Sequence, residues 1–409
     1  MLAPRAGRRL PPELAPGHVD RRAAALPDGL EDPGFVEILS RIEQSPLHAG
    51  NSARVYFRGV DAFAAMLEDL RGAASEILLE TYILRDDETG RRFQEALVAA
   101  SRRGVRVRVL ADAFGSMHLG AKFWSGFREA GIEARLFHRL GVPVRRFFFR
   151  DHRKILVVDR RVAYTGGMNI GDEYGSALIP KDRVFRDTHA RVEGPAAAEM
   201  AAVFREGWRG AKGSDFSLEP VVCADTAGAR VMVLDSRPGR GAHELSAALA
   251  AIVGGSRRRL WMTEAYFAPR RRVGGILGRA AARGVDVRLL LPGRTDVRTV
   301  RHAGHGFFAD LLRRGVRIFE YQAAVLHAKT IVADGRVSVV GSSNIDFRSF
   351  ERNAECNFAM FDAPIAEELE RQFLADLGQS EEIRMREWRR RAWLHRAADS
   401  LARRLAPVL

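Results

Sequence analysis

The chain has 409 residues, 46% of them apolar, and a formal charge of +14 from 65 basic and 51 acidic residues. That length allows two or three domains with buried cores, and the composition excludes collagen, coiled-coil and disordered classes. No apolar stretch approaches the ~20 residues of a membrane span, and the first forty residues lack the apolar block of a signal peptide. The cysteines, Cys223 and Cys356, are too few for a disulfide scaffold or a multi-cysteine metal site. The surplus positive charge points to an anionic partner, either nucleic acid or an anionic membrane. Nearly all the cations are arginine; the lysines are Lys122, Lys154, Lys181, Lys212 and Lys329.

In chain order, residues 1–34 read as an N-terminal extension. A strand over 77–82 is followed by a helix over 92–103 that stops at Gly104. Strands follow over 105–110, 132–137, 154–158 and 162–165. A polar stretch around 210–228 reads as a linker. The same order then recurs: a strand over 260–266, a helix over 275–283 stopping at Gly284, and strands over 285–290, 315–320, 330–333 and 337–340. Matching landmarks lie about 175–185 residues apart, which predicts a duplicated unit. Alternating βα units predict an α/β fold of two pseudo-symmetric domains, each a mostly parallel sheet flanked by helices. The expected division is 35–212 and 228–380, with a linker at 213–227 and a basic amphipathic helix at 381–409. In that last segment Leu394, Ala398, Leu401 and Leu405 share a face among arginines, a pattern suited to an anionic headgroup layer or to docking on the second domain. Phe147, Phe148 and Phe149, flanked by Arg145, Arg146 and Arg150, form a second candidate lipid-facing rim or a buried strand.

The chemistry is concentrated in a pattern that occurs twice. It comprises His152, Lys154, Asp159, Gly166, Gly167 and Asn169, and then His327, Lys329, Asp334, Gly341, Ser342 and Asn344. On a strand, positions i and i+2 face one side, so each His projects with its Lys. Imidazole can attack phosphorus or move a proton near neutral pH, while ammonium and amide groups stabilise equatorial oxygens as charge builds. Two copies facing each other supply one nucleophile and one acid/base on a phosphodiester. Asp187 and Glu355, each a short stretch beyond its motif asparagine, are candidates to orient the imidazoles. Asp159 and Asp334 belong to the motif but fall at hairpin turns, which gives them either a catalytic or a turn-shaping role. Glu80 and Glu264 share a Glu-x-Tyr pattern at first-strand ends and read as pocket residues or structural acceptors. His302 and His305 are weaker candidates to line a phosphate pocket.

The paired motif resembles the signature of the phospholipase D superfamily, and the likeness runs over nearly the whole chain. Finer likeness is to bacterial cardiolipin synthases. It is carried by Glu80-Thr81-Tyr82-Ile83, by 166–174, by Arg186-Asp187-Thr188-His189, and by 346–350 running on to Asn353-Ala354-Glu355. Phe185 stands where that family usually has Trp. The resemblance implies one active site at the interface of two phospholipase D-like domains. It also implies a two-step transfer: one imidazole attacks phosphatidylglycerol and expels glycerol, the other protonates it, and a second phosphatidylglycerol takes the phosphatidyl group to give cardiolipin. His152 is expected as nucleophile and His327 as acid/base. No cofactor and no metal are expected. The expected partners are phosphatidylglycerol and an anionic membrane rather than nucleic acid, with the chain peripheral on the cytoplasmic face of the cell membrane. A phospholipase D-type hydrolase, a metal-independent nuclease and a non-catalytic lipid-binding module are the competing expectations.

Overall fold

A computed structural model of the chain describes residues 29–43, 45–138, 149–175, 179–180, 183–218, 227–237, 242–269, 271–295 and 297–392, with a few more between 395 and 402. The extension up to residue 28, Phe147 and Phe148, residues 219–226 of the expected linker and Leu394 and Leu405 of the C-terminal amphipathic pattern lie outside these.

The first half contributes β1 (His48–Tyr56), β2 (Glu76–Thr81), β3 (Arg106–Asp112), β4 (Glu133–Phe137), β5 (Arg150–Asp151), β6 (Lys154–Val158), β7 (Val162–Gly166) and β8 (His189–Glu193). The second contributes β9 (Ala229–Ser236), β10 (Arg259–Glu264), β11 (Asp286–Pro292), β12 (Arg317–Tyr321), β13 (Lys329–Ala333), β14 (Val337–Gly341), β15 (Asn353–Phe361) and β16 (Ser380–Ile383). The main sheet runs β16-β12-β11-β10-β13-β14-β15-β9-β1-β8-β7-β6-β2-β3-β4. Read outward from the β9–β1 seam, the two halves repeat one order, as the duplicated pattern predicts.

The helices are α1 (Pro33–Glu43), α2 (Gly59–Gly72), α3 (Glu88–Arg102), α4 (Ala121–Glu129), α5 (Asp172–Gly175), α6 (Pro195–Gly210), α7 (Ala242–Gly255), α8 (Arg271–Ala282), α9 (Arg298–Arg313), α10 (Phe347–Glu351), α11 (Ala363–Leu377) and α12 (Met385–Arg390). The expectation of mostly parallel sheets is corrected by the pairing. Among the described neighbours of the main sheet, β2-β3-β4 and β10-β11-β12 run parallel, where α3 and α4, or α8 and α9, make the crossovers. The other main-sheet neighbours are antiparallel, and the motif strands return through three-residue hairpin loops, Asp159-Arg160-Arg161 and Asp334-Gly335-Arg336. Helix α1 carries Phe35, Leu39 and Ile42 on one stripe, and it packs against α7 of the second half rather than with the first unit.

A shared core lies between the halves. Val157, Ala163 and Val192 of the first half join Val233, Val340 and Phe358 of the second, with α6 and α11 adding Phe204, Trp208, Ile365 and Leu369. Arg153 crosses this boundary while almost fully buried. Its Nη2 donates to Asp235 Oδ2 at 3.1 Å and to the Ser236 carbonyl at 2.8 Å, both on β9, and its Nη1 lies 3.7 Å from Glu80 Oε1. Removing one partner of a buried ion network strands the others without compensation. Arg153→Met is therefore expected to destabilise the fold by about 3–5 kcal/mol. Urea denaturation measures this, and a loss below about 1 kcal/mol would contradict the role given to Arg153.

Candidate active site

Both motif histidines sit just before their strands and are fixed by backbone pairing with the opposite half. The 150–152 segment runs beside the start of β15, where the His152 amide donates to the Ala354 carbonyl at 2.9 Å. Reciprocally, the His327 amide donates to the Arg186 carbonyl at 2.8 Å, and the Arg186 amide donates to Val325 at 2.9 Å. Each pairing brings an imidazole of one half against a carboxylate of the other. His152 Nδ1 lies 3.1 and 3.0 Å from the two oxygens of Glu355, and His327 Nδ1 lies 2.7 Å from Asp187 Oδ2. An ionised carboxylate only accepts, so in each ring the proton sits on Nδ1 and Nε2 carries the lone pair.

The carboxylates are held in turn. Ser342 and Ser349 hydroxyls donate to Glu355 at 2.6 and 2.7 Å, and Asn353 Nδ2 adds a contact at 3.3 Å. Asp187 Oδ1 accepts the Thr188 amide at 2.7 Å. A Cβ at Gly167 would lie 2.1 Å from Asp187 Oδ1, so this motif glycine makes room for the shorter acid. Ser342, at the equivalent place, is tolerated because its hydroxyl is a ligand of Glu355.

Both lysines are buried with the histidines. Lys154 Nζ donates to the His152 carbonyl at 2.6 Å, whereas Lys329 Nζ donates to the His327 carbonyl and lies 3.0 and 3.1 Å from its ring nitrogens. Burial, assisted by Lys329, pulls Lys154 down to about 7 against the pull of Glu355. Burial lowers His152 to about 4 despite Glu355, and burial with Lys329 lowers His327 despite Asp187. Asp187 and Glu355 stay below the usual carboxylate range although burial opposes it, because His327 and His152 respectively stabilise their charge. Tyr82 lies edge-on to His152 with centroids 5.1 Å apart; Tyr174, Phe185 and Tyr266 surround His327 at 5.5, 5.8 and 6.0 Å.

Other sequence candidates fall elsewhere. Asp159 and Asp334, grouped with the catalytic residues by the motif, sit at the far ends of β6 and β13, in the left-handed region with φ 51° and 57°. Asp159 accepts the amides of Ala74, Ser75 and Glu76; Asp334 accepts those of Arg257, Arg258 and Arg259. They pin the turn to the start of the neighbouring strand and do not reach the imidazoles. Asn169, a candidate phosphate ligand, instead accepts from the Ile83 amide at 3.2 Å and donates to the Tyr174 hydroxyl at 2.6 Å, so it places a ring that packs on His327. The Asn344 Oδ1 is buried and unbonded among the described residues. Glu80 and Glu264 are not equivalent despite their shared pattern. Glu80 pairs opposite Ile155 and faces Arg153, while Glu264 pairs opposite Lys329 on the site face. Burial pushes both well above the usual carboxylate range, with Asp151 adding to the effect at Glu80 and Lys329 opposing it at Glu264.

His302 and His305 bond the carboxylates of Asp399 and Glu320, and His305 shares a cleft with Tyr266. With Asp399 they are the described residues close enough to share a cation, and they tie the C-terminal segment to α9. In that segment Trp388 is buried against His305 and Phe308. Sequence reasoning missed the ring set of Tyr82, Tyr174 and Tyr266, the serines on Glu355, and His189. Burial lowers His189 to about 4.

His152 and His189 bind protons in the unfolded chain below pH ~6.5 that the folded chain refuses until about 4. Their contribution to stability therefore falls as pH drops through that window. A His152→Gln, His189→Gln double variant is expected to lose less stability than the parent between pH 6.5 and 4.5. Urea midpoints across that range test this, and parallel slopes would contradict the neutral state assigned to both rings.

The model of the family described as cardiolipin synthase, PLD-like domain, matches residues 66–204 and 249–377, one stretch in each half. A cardiolipin synthase of Halalkalibacterium halodurans is 33% identical over 378 residues, covering 90% of this chain and 74% of that one. Cardiolipin synthase A of Pseudomonas fluorescens is 34% identical over 376 residues, covering 91% and 78%. Among solved structures, phosphatidylserine synthase of Haemophilus influenzae superposes with a TM-score of 0.68 at 14% identity, covering 90% of this chain and 97% of that one. Polyphosphate kinase of Porphyromonas gingivalis gives 0.56 at 15% identity, covering 94% and 54%. At those identities the structural likeness concerns the fold. By its family match and its relatives, the chain belongs to the cardiolipin synthase family of phospholipase D-like proteins.

Proposed function

We propose that the protein is a phosphatidyltransferase that makes cardiolipin and glycerol from two molecules of phosphatidylglycerol. The observation that carries this is the pair of imidazoles, each held by a carboxylate of the opposite half and each beside an ammonium. His152 Nε2 attacks the phosphorus of the first lipid. The bond to the headgroup glycerol breaks, and His327, protonated on Nε2 when the anionic lipid binds, gives that proton to the alkoxide. His327 then accepts the proton of a primary hydroxyl on the second lipid as that oxygen attacks the phosphohistidine, which frees His152. Lys154 and Lys329 stabilise the equatorial oxygens through both steps.

The surroundings favour this division of roles. Glu355 shares its charge among Ser342, Ser349 and Asn353 as well as His152, so it supports an imidazolium weakly and leaves His152 a neutral nucleophile. Asp187 makes a short bond to His327 and takes fewer other donors, so it supports an imidazolium better. A phosphodiester anion draws the Lys329 ammonium and raises His327 toward the range an acid/base needs. The substrate also places the chain at an anionic membrane. No helix among the described residues is long and apolar enough to cross a membrane, so attachment is proposed as peripheral, at the cytoplasmic face.

Purified protein incubated with phosphatidylglycerol vesicles is expected to release cardiolipin and glycerol in equal amounts. Phosphatidic acid as sole product would indicate a hydrolase, and metal-independent cleavage of DNA or RNA without lipid turnover would indicate a nuclease. His152→Ala is expected to abolish turnover. Asp187→Asn is expected to lower kcat about 10²–10⁴-fold. It should also move the limb of the kcat profile set by His327 to lower pH, because the His327 imidazolium loses its counter-charge. Peptide mapping after acid quench places the phosphoryl adduct on residue 152; an adduct on residue 327 would reverse the two roles.

A further inference from the structure

The exposed large apolar side chains among the described residues are Phe114, Met117, Val297, Leu374 and Leu401, at 43, 51, 37, 48 and 61% exposure. Three of them fall on two loops that occupy equivalent places. The loop carrying Phe114 and Met117 follows β3, and the loop carrying Val297 follows β11. These strands are parallel to β2 and β10, so both loops emerge at the sheet edge where Tyr82 and Tyr266 lie. The first loop is seated on Tyr82. Ser116 Oγ donates to the Tyr82 carbonyl at 3.2 Å, and a Cβ at Gly115 would lie 2.1 Å from that oxygen. Arg150, two residues before His152, stacks on Phe114 at 5.3 Å. In the other half Tyr266 lines one cleft with Pro292 and Thr295. Each loop is thus one aromatic ring away from a motif imidazole.

Singly exposed apolar residues are ordinary; their convergence around both sides of one site is not. The same loops end in exposed cations: Lys122 at the start of α4, and Arg294 and Arg298 around Val297. Apolar tips beside cations match a layer of anionic headgroups over acyl chains. We propose that the loop 113–120 and residues 293–295 and 297–298 form a two-sided rim that seats on an anionic phospholipid bilayer, with Phe114, Met117 and Val297 inserting and Lys122, Arg294 and Arg298 pairing with headgroup phosphates. This rests on the phosphatidyltransferase reading and names the surface by which that site meets its substrate. The symmetry of the rim lets donor and acceptor lipids approach from either side of the imidazole pair without leaving the headgroup layer.

Co-sedimentation with phosphatidylglycerol–phosphatidylcholine vesicles tests the rim directly. A Phe114→Asp, Met117→Asp double variant is expected to partition about 10–100-fold more weakly, and Arg294→Glu, Arg298→Glu to lose binding most at low salt. Leu374→Asp is expected to bind as the parent does. Turnover of the first variant on vesicles falls in step with binding, while turnover of a short-chain phosphatidylglycerol below its micelle concentration stays within about twofold of the parent. Full vesicle binding by the rim variants, or loss of binding in Leu401→Asp instead, would overturn the proposal. A cysteine at position 117 carrying an environment-sensitive dye reports insertion by a blue shift on vesicles, and its absence would also overturn it. If the rim variants lose binding but the parent transfers no phosphatidyl group in either format, the rim stands and the enzymatic reading fails.

Discussion

The structure depends on a reciprocal exchange across the two halves: each motif imidazole is oriented by a carboxylate that its own half does not contain. A duplicated unit alone would place two histidines on two similar sheets with no reason to meet. The short backbone pairings of 150–152 with 352–354 and of 325–327 with 186 supply that reason, because they align each imidazole with the foreign acid within one or two residues. The Arg153 network and the shared core reinforce the same seam. Separation of the halves would therefore cost both tautomers at once, which couples site integrity to the stability of the interface.

That exchange also solves a charge problem. Two buried ammoniums beside two imidazoles would be prohibitive in an apolar interior. Asp187 and Glu355 offset them, and the residual cost appears as the depressed lysine and histidines. A site balanced in this way is primed for an anion: a phosphodiester brings the negative charge that favours the Lys154 ammonium, and the electrostatic gain arises where the reacting oxygens sit. The hydroxyls of Ser342 and Ser349 and the missing Cβ of Gly167 are local devices that keep each acid aimed.

Much of this was legible in the sequence, for identifiable reasons. His152, Lys154, His327 and Lys329 stood out because the duplication repeats their spacing in a chain where lysine is scarce. Asp187 and Glu355 were legible from their matching position, but not their crossing to the other half, since spacing along one chain carries no information about which half an acid faces. Asp159 and Asp334 shared the motif without sharing the site: a carboxylate at a left-handed turn is better used on three backbone amides. Glu80 and Glu264 misled for a finer reason. The two β-ladders are offset by one residue relative to the Glu-x-Tyr pattern, and in a strand one residue exchanges the faces. The parallel content was overread because βα alternation governs only the outer strands, while the motif strands close by hairpins.

The departures from symmetry are where the chemistry divides. Around His327 stand an aspartate, a glycine beside it and a lysine against the ring; around His152 stand a glutamate, a serine and a lysine turned to a carbonyl. A symmetric pair of histidines would have equal tendencies to attack and to carry protons, and a two-step transfer needs them unequal in each step. A crowded Glu355 weakens support for charge on His152, and an uncrowded Asp187 strengthens it on His327. In the proposed mechanism the fuller shell of Glu355, two serine hydroxyls and the Asn353 amide against one backbone amide on Asp187, favours His152 as nucleophile and His327 as proton carrier.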